Sequence, residues 1–176
     1  KGVVLDDGET RLTLHWSPTA PGPEATVALA FELRGAPNKL GLPTVPYRGT
    51  VDLSDQAPAG NRFPGSNGLG KQAYPYAVTE AYDRFLFHGP GFQGIEDITG
   101  MSDHGIVGQL AAGRPKRLGM QGSSWATDPV TLDSALQLVG LWVREHKGAS
   151  ALPSYVERYV QTAPFRGRVS AHIEIE

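Results

Sequence analysis

Asp133 and Gln137 stand four residues apart in "DPVTLDSALQLVGLW" (128 to 142). On a helix that spacing puts both side chains on one face, one turn apart. A glutamine amide can donate to one carboxylate oxygen and hold the group in place. Leu132, Ala135, Leu136 and Leu138 flank the pair. Neighbours of that kind remove water, and loss of water favours the protonated form a carboxyl group needs to act as a general acid. On residue types alone, a solvent-facing polar pair or a first-turn aspartate favoured by the helix dipole explains the same residues. The second chemical stretch is "LFHGPGFQGIEDITG" (86 to 100), where four glycines and a proline surround His88, Phe87 and Phe92. His88 is readable either as a capped turn histidine or as a group facing a site.

The elements that must position these residues follow from periodicity. Asp128 is a ready N-cap, Pro129 fits the first helical position, and Gly148 ends the run, which predicts a helix over 129–147. Leu132, Ala135, Leu136, Val139 and Trp142 or Val143 recur at three- and four-residue intervals and predict its buried stripe. Leu136→Ala is then expected to cost about 2–5 kcal/mol. "YAVTEAYDRFLF" (76 to 87) predicts a short amphipathic helix through Val78, Tyr82, Phe85 and Leu86. "FQGIEDITGMSDHGIVGQLA" predicts two strands about a turn at Ser102 to Gly105, and "GRVSAHIEIE" a further strand. "ALPSYVERYVQ" (151 to 161) also alternates and is read as extended.

Upstream, "GVVL" (2 to 5), "RLTLHW" (11 to 16), "ATVALAFELRG" (25 to 35) and "YRGTVDLS" (47 to 54) predict four antiparallel strands without a helix to cover them. "DDGE" (6 to 9) reads as the first hairpin turn. Residues 57–75 hold seven glycines or prolines and read as a linker. The expected organisation is therefore 1–56, a linker over 57–75, and 76–176.

The totals exclude several function classes. With 176 residues, 40% hydrophobic and 19% charged, the chain fits a globular fold, and a formal net charge of −2 offers no footprint for nucleic acid or an anionic membrane. No apolar run approaches the roughly 20 residues that span a bilayer. Cysteine is absent, which rules out disulfides and thiolate chemistry and permits a reducing compartment, with the cytoplasm the expected location. The five histidines do not pair with carboxylates at ligand spacing on one element, so no metal is expected. "GSNGLGK" (65 to 71) lacks the preceding strand and following Ser or Thr of a phosphate loop.

Two segments carry a family resemblance. "HGPGFQGI" (88 to 95) resembles the "YGPxFQG" segment, and "DPVTLDSALQ" (128 to 137) the "HPxLLDAxxQ" segment, of polyketide synthase dehydratase domains. The resemblance covers at least residues 76 to 160. "FHGPGFQGIEDI", "GIVGQL" and "LPSYVERY" look especially like the dehydratase-type segment that follows the ketoreductase in polyunsaturated fatty acid synthases. It implies an α+β fold, the double hot-dog, in which each half wraps an antiparallel sheet around a central helix; here the first half is incomplete. It implies loss of water from a β-hydroxyacyl chain carried on the phosphopantetheine of an acyl carrier protein, with no further cofactor. Acyl carrier protein and neighbouring synthase domains would be the partners, and a homodimer is compatible with the family. Asp133 matches the family's acid and Gln137 the glutamine that orients it. Gly89, Pro90 and Gly91 would let the backbone run close to an elongated substrate, and Phe92 would line its tunnel. His88, standing where the family usually has tyrosine, would face the tunnel mouth and reach the aspartate or the substrate.

One part of the pattern is missing. The family takes its catalytic base from "HxxxGxxxxP" in the first half. The nearest imitation, "HGIVGQLAAG" (104 to 113), has Gly113 in place of the proline, follows the "GPGFQG" segment, and alternates like a strand. His15 lies inside a strand. Either the base precedes Lys1, which the missing initiator Met and the uncovered first sheet favour, or the parent has degenerated into a non-catalytic fold. On both accounts this segment alone is expected to be a poor catalyst. A hot-dog thioesterase would also use a carboxylate beside a helix, and a product-template cyclase would share the fold and the His/Asp pair.

Overall fold

The computed structural model describes residues 10–23, 25–37, 40–41, 43–58, 68–113, 115–121 and 125–176. The predicted strand at 2–5 and the turn at 6–9 lie outside these residues. Two compact units divide the chain, residues 1–59 and 60–176.

The first unit is a three-stranded antiparallel sheet, β1 (Thr13–Thr19), β2 (Val27–Pro37) and β3 (Pro43–Leu53), with β2 in the centre. Alternation and β-branched residues favour all three strands. Register slips between Leu33 and Pro37, where Gly35 and Pro37 interrupt regular pairing. Leu14 and Trp16, on the edge strand β1, are 61% and 64% exposed.

The second unit contains the candidate chemistry. Helix α1 (Val78–Arg84) and a 3-10 turn over Pro90–Phe92 lead into β4 (Ile95–Ser102) and β5 (Gly105–Ala111). Helix α2 (Pro129–Lys147) follows, then β6 (Arg168–Glu174), and the sheet order is β4-β5-β6, antiparallel throughout. α2 packs on β5 and β6. Its ends are as the sequence dictates. Asp128 accepts from the N–H groups of Val130 and Thr131, Pro129 opens the first turn, and Gly148 closes the helix with a left-handed φ of 62°. Gly108 lets helix and strand approach, since a Cβ there would lie 2.9 Å from Leu138 Cδ1. The core joins Tyr74, Ala81 and Tyr82 to Ile95, Ile98, Met101, Ile106, Leu110, Leu138, Leu141 and Trp142.

Three expectations require correction. The buried face of α2 is Val130, Thr131, Ser134, Gln137, Leu138, Leu141 and Trp142, whereas Leu136 is 36% exposed and Leu132, Ala135, Val139 and Val143 are half-buried. The stripe is rotated from the one that leucine spacing predicts. The face mixes large apolar residues with small and polar ones: Leu138 fills the space Gly108 leaves, Ser134 meets Gly94, and Thr131 and Gln137 are held by hydrogen bonds to Asp128, Phe92 and Tyr82. Secondly, residues 151–161 form no strand, and Leu152, Tyr155, Val156 and Val160 are exposed. Pro153 lacks the N–H that a ladder needs. Gln161 ties this coil to the start of α2, donating to the Ala126 carbonyl at 2.6 Å and accepting from Thr127 Oγ1 at 3.0 Å. Thirdly, the C-terminal part of the predicted linker is packed. Leu69 and Tyr74 are buried, and Gln72 pairs with Met101.

Candidate active site

Four elements of the second unit converge on Asp133. α2 supplies Asp133 and Gln137, the segment after α1 supplies His88, the 3-10 turn supplies the Phe92 carbonyl, and α1 supplies Tyr82. Gln137 is 4% exposed, so each of its polar atoms needs a protein partner. Its Nε2 donates to Asp133 Oδ2 at 2.6 Å and to the Phe92 carbonyl at 2.9 Å. Its Oε1 accepts from the Tyr82 hydroxyl at 2.8 Å, and that hydroxyl in turn accepts from the Ile95 N–H at 3.0 Å. The amide is saturated, and its direction is forced. The Phe92 carbonyl can only accept and the Ile95 N–H can only donate, so the NH2 end must face Asp133.

Asp133 is a third exposed at its side chain while its orienting partner is buried. His88 Nε2 stands 3.4 Å from the same Oδ2, within ion-pair range if the ring is protonated. His88 is 16% exposed at its side chain, stacks on Phe87 with centroids 4.3 Å apart, and has a buried Nδ1 without a hydrogen-bond partner. Gln93 fixes the loop by donating from Nε2 to the His88 carbonyl at 3.0 Å. Of the two explanations for His88, the geometry is that of a side chain turned toward the aspartate.

The "GPGFQG" residues play unequal parts. Gly89 and Pro90 are exposed and Gly91 and Phe92 half-buried, and the contact Phe92 makes to the acid-bearing helix is through its backbone carbonyl. Gly94 is the close-approach residue. A Cβ there would lie 2.3 Å from Ser134 Oγ and 3.1 Å from Val130 Cγ1, so only glycine lets this strand entry touch α2 beside Asp133. Leu132 and Ala135 border the aspartate half-buried, and Leu136 is turned further into solvent.

Tyr82 is the participant that periodicity misses, since a helical stripe counts it only as an apolar member. Its signal is available in the residue type, because a buried tyrosine hydroxyl must find a partner. Burial pushes its phenol above the ordinary value, the negative charge of Asp133 adds to the rise, and the backbone N–H groups of Ile95 and Gly94 oppose it. The hydroxyl is therefore a stable donor across neutral pH. "HGIVGQLAAG" runs along β5, and His15 lies on β1 in the first unit. An open groove in that unit, bordered by Thr13, His15, Arg34 and Gly35, contains none of the Asp133 network.

Known proteins resemble this chain over most of its length. Residues 70–176 match the family model of the polyketide synthase dehydratase N-terminal domain. The chain is 32% identical over 169 residues, 93% of its length, to part of a polyunsaturated fatty acid synthase from Thraustochytrium sp., and it spans only 6% of that relative. Among solved structures it is similar to one reporting dehydratase substrate selection for the borrelidin and fluvirucin polyketide synthases. The TM-score is 0.53 at 21% identity, over 96% of this chain and 58% of that one. A bifunctional dehydratase-cyclase domain from ambruticin biosynthesis gives 0.47 at 20% identity, over 94% and 58%. With its two antiparallel sheets and long helix, the chain has the α+β hot-dog fold. Because the matched region takes in more than half of the sequence, including α2 and every residue bonded to Asp133, the chain belongs to the polyketide synthase dehydratase family.

Proposed function

We propose that this chain carries the acid side of a dehydratase acting on a β-hydroxyacyl thioester held on the phosphopantetheine arm of an acyl carrier protein. Asp133 delivers a proton to the departing β-hydroxyl. A base from outside these residues removes the α-proton, the electrons of that C–H bond form the Cα=Cβ double bond, and the C–O bond breaks to release water. The product is the enoyl thioester. The observation that carries this reading is a partly exposed carboxyl group held on one oxygen by a fully bonded, buried amide at 2.6 Å. Such an acid is fixed in direction yet open to a substrate, the preorganisation general acid catalysis needs. Phosphopantetheine serves as the carrier of the substrate. Neighbouring synthase domains supply the preceding and following reactions.

A second reading is favoured by one observation, the lack of "HxxxGxxxxP" anywhere in the 176 residues. Under it the fold is a pseudo-dehydratase that serves as architecture or docking surface in a larger synthase. The test is to offer a β-hydroxyacyl carrier protein to the parent protein and follow loss of water from the carried chain by mass spectrometry. Formation of the enoyl product supports the dehydratase. A substrate left intact, by a parent whose carrier protein is loaded normally, supports the non-catalytic fold.

A further inference from the structure

We infer that Tyr82 is a positioning residue for Asp133, acting through Gln137 and deciding which carboxyl oxygen holds the transferable proton. This deepens, and rests on, the assignment of Asp133 as the acid. A glutamine four residues from an aspartate can present either end of its amide, and only the NH2 end can hold a carboxylate. What selects that end lies off the helix. The Ile95 N–H occupies the Tyr82 oxygen at 3.0 Å, which leaves the phenolic hydrogen to point at Gln137 Oε1 at 2.8 Å. With its oxygen claimed, the amide can only donate on its other side, to the Phe92 carbonyl and to Asp133 Oδ2. Tyr82 is 9% exposed and held above its ordinary pKa by burial, so it does not lose its hydrogen at neutral pH. The sequence separation of 55 residues between Tyr82 and Gln137 means that α1 is recruited to set the polarity of a pair on α2.

The consequence falls on Asp133 itself. Both described partners of its carboxylate, Gln137 Nε2 and His88 Nε2, lie on Oδ2. An oxygen facing donors is the poorer place for a proton. Oδ1 is then the oxygen that carries the proton and presents it to the leaving hydroxyl. Without the Tyr82 hydroxyl, Gln137 Oε1 loses its donor and the amide is held only on its NH2 side, by the Phe92 carbonyl and Asp133, so its donation to Oδ2 loosens and the preference for a proton on Oδ1 weakens.

Tyr82→Phe tests this, because it keeps the ring in the core and removes only the hydroxyl. It also leaves the Ile95 N–H without its acceptor, so some loss of stability is expected under any account, and other readouts must separate the roles. In the parent protein the variant should lower kcat by about ten- to a hundredfold, as a misdirected group does. KM for the carrier-bound substrate should stay within about twofold, as for an interaction made only in the transition state. By NMR, the two side-chain amide protons of Gln137 should be slowly exchanging and close to the Tyr82 ring in the unmodified protein. In the variant they should lose protection. Unchanged Gln137 amide signals in a folded Tyr82→Phe protein overturn the inference whatever the turnover. So does a rise in KM with kcat preserved. If the variant does not fold, the unmodified protein still decides: rapidly exchanging Gln137 amide protons with no proximity to the Tyr82 ring overturn it. Should the parent show no dehydration at all, the assignment of the acid fails, while the amide signals still report on Tyr82.

Discussion

Two leucines on one helix turn decide whether the packing phase of α2 is as described. Leu138 is fully buried and its methyl carbons lie against Gly108, at 2.9 and 3.1 Å from the position a Cβ would take there. Leu138→Ala deletes three carbons, and at about 0.8 kcal/mol for each buried carbon the transfer loss is about 2.4 kcal/mol. A closely packed strand collapses only partly into the hole, so the total should reach about 3–4 kcal/mol. Leu136 is 36% exposed, and truncating it opens no closed cavity. Leu136→Ala gives up only part of the transfer term and gains slightly in helix propensity, for a loss of about 1 kcal/mol. Urea unfolding of both variants, followed by far-ultraviolet circular dichroism and compared at equal m-value, measures the difference. Equal losses, or a larger loss at Leu136, would refute the packing phase and restore the leucine stripe read from spacing.

Other expectations rest on single networks. Asp128 is buried and accepts from Val130 N, Thr131 N, Thr131 Oγ1 and Gly113 N, so Asp128→Ala should cost about 2–4 kcal/mol, from a lost cap and an orphaned Gly113 N–H. The same urea assay measures it, and a cost near zero would contradict the network. Burial, then the charge of Glu145, pushes the Tyr74 phenol up to about 12 from an ordinary value of 10.0. The folded state therefore keeps a proton that the unfolded chain releases, so stability is whole below about pH 10 and falls as pH rises toward 12. Spectrophotometric titration should show Tyr74 among the phenols that ionise late, and Tyr74→Phe should remove its step and flatten the decline.

Much of the fold is legible in the sequence, and the failures share one cause. Asp128, Pro129 and Gly148 mark both ends of α2 because capping is local chemistry. The strands around "IEDITG", "GIVGQL" and "RVSAHIE" follow from alternation and a hairpin turn. Asp133 and Gln137 are legible as a pair because their contact is made within one helix turn. What escapes depends on neighbours distant in sequence. Thr131 and Gln137 are buried because Asp128, Phe92 and Tyr82 bond to them, and Ser134 because Gly94 lets the chain come close; a hydrophobicity pattern gives polar residues no credit for either. The alternating run at 151–161 has the pattern of a strand, but Gln161 ties it to Ala126 and Thr127 at the start of α2, residues distant in sequence that alternation does not register. His88 is open between two roles in the sequence, and only the fold sets its ring beside Asp133.

The central claim is that Asp133 donates the proton that lets the hydroxyl leave. Asp133→Asn in the parent protein is nearly isosteric and should keep the fold, checked by circular dichroism. It should nonetheless abolish conversion of a β-hydroxyacyl carrier protein to the enoyl form, because an amide N–H is far too weak an acid to give up its proton at this step. Gln137→Ala, which loosens the acid without removing it, should retain more activity than Asp133→Asn. Mass spectrometry of the carrier protein reads both. Loss of enoyl product in a folded Asp133→Asn variant is the result predicted, and full activity in that variant would contradict the account.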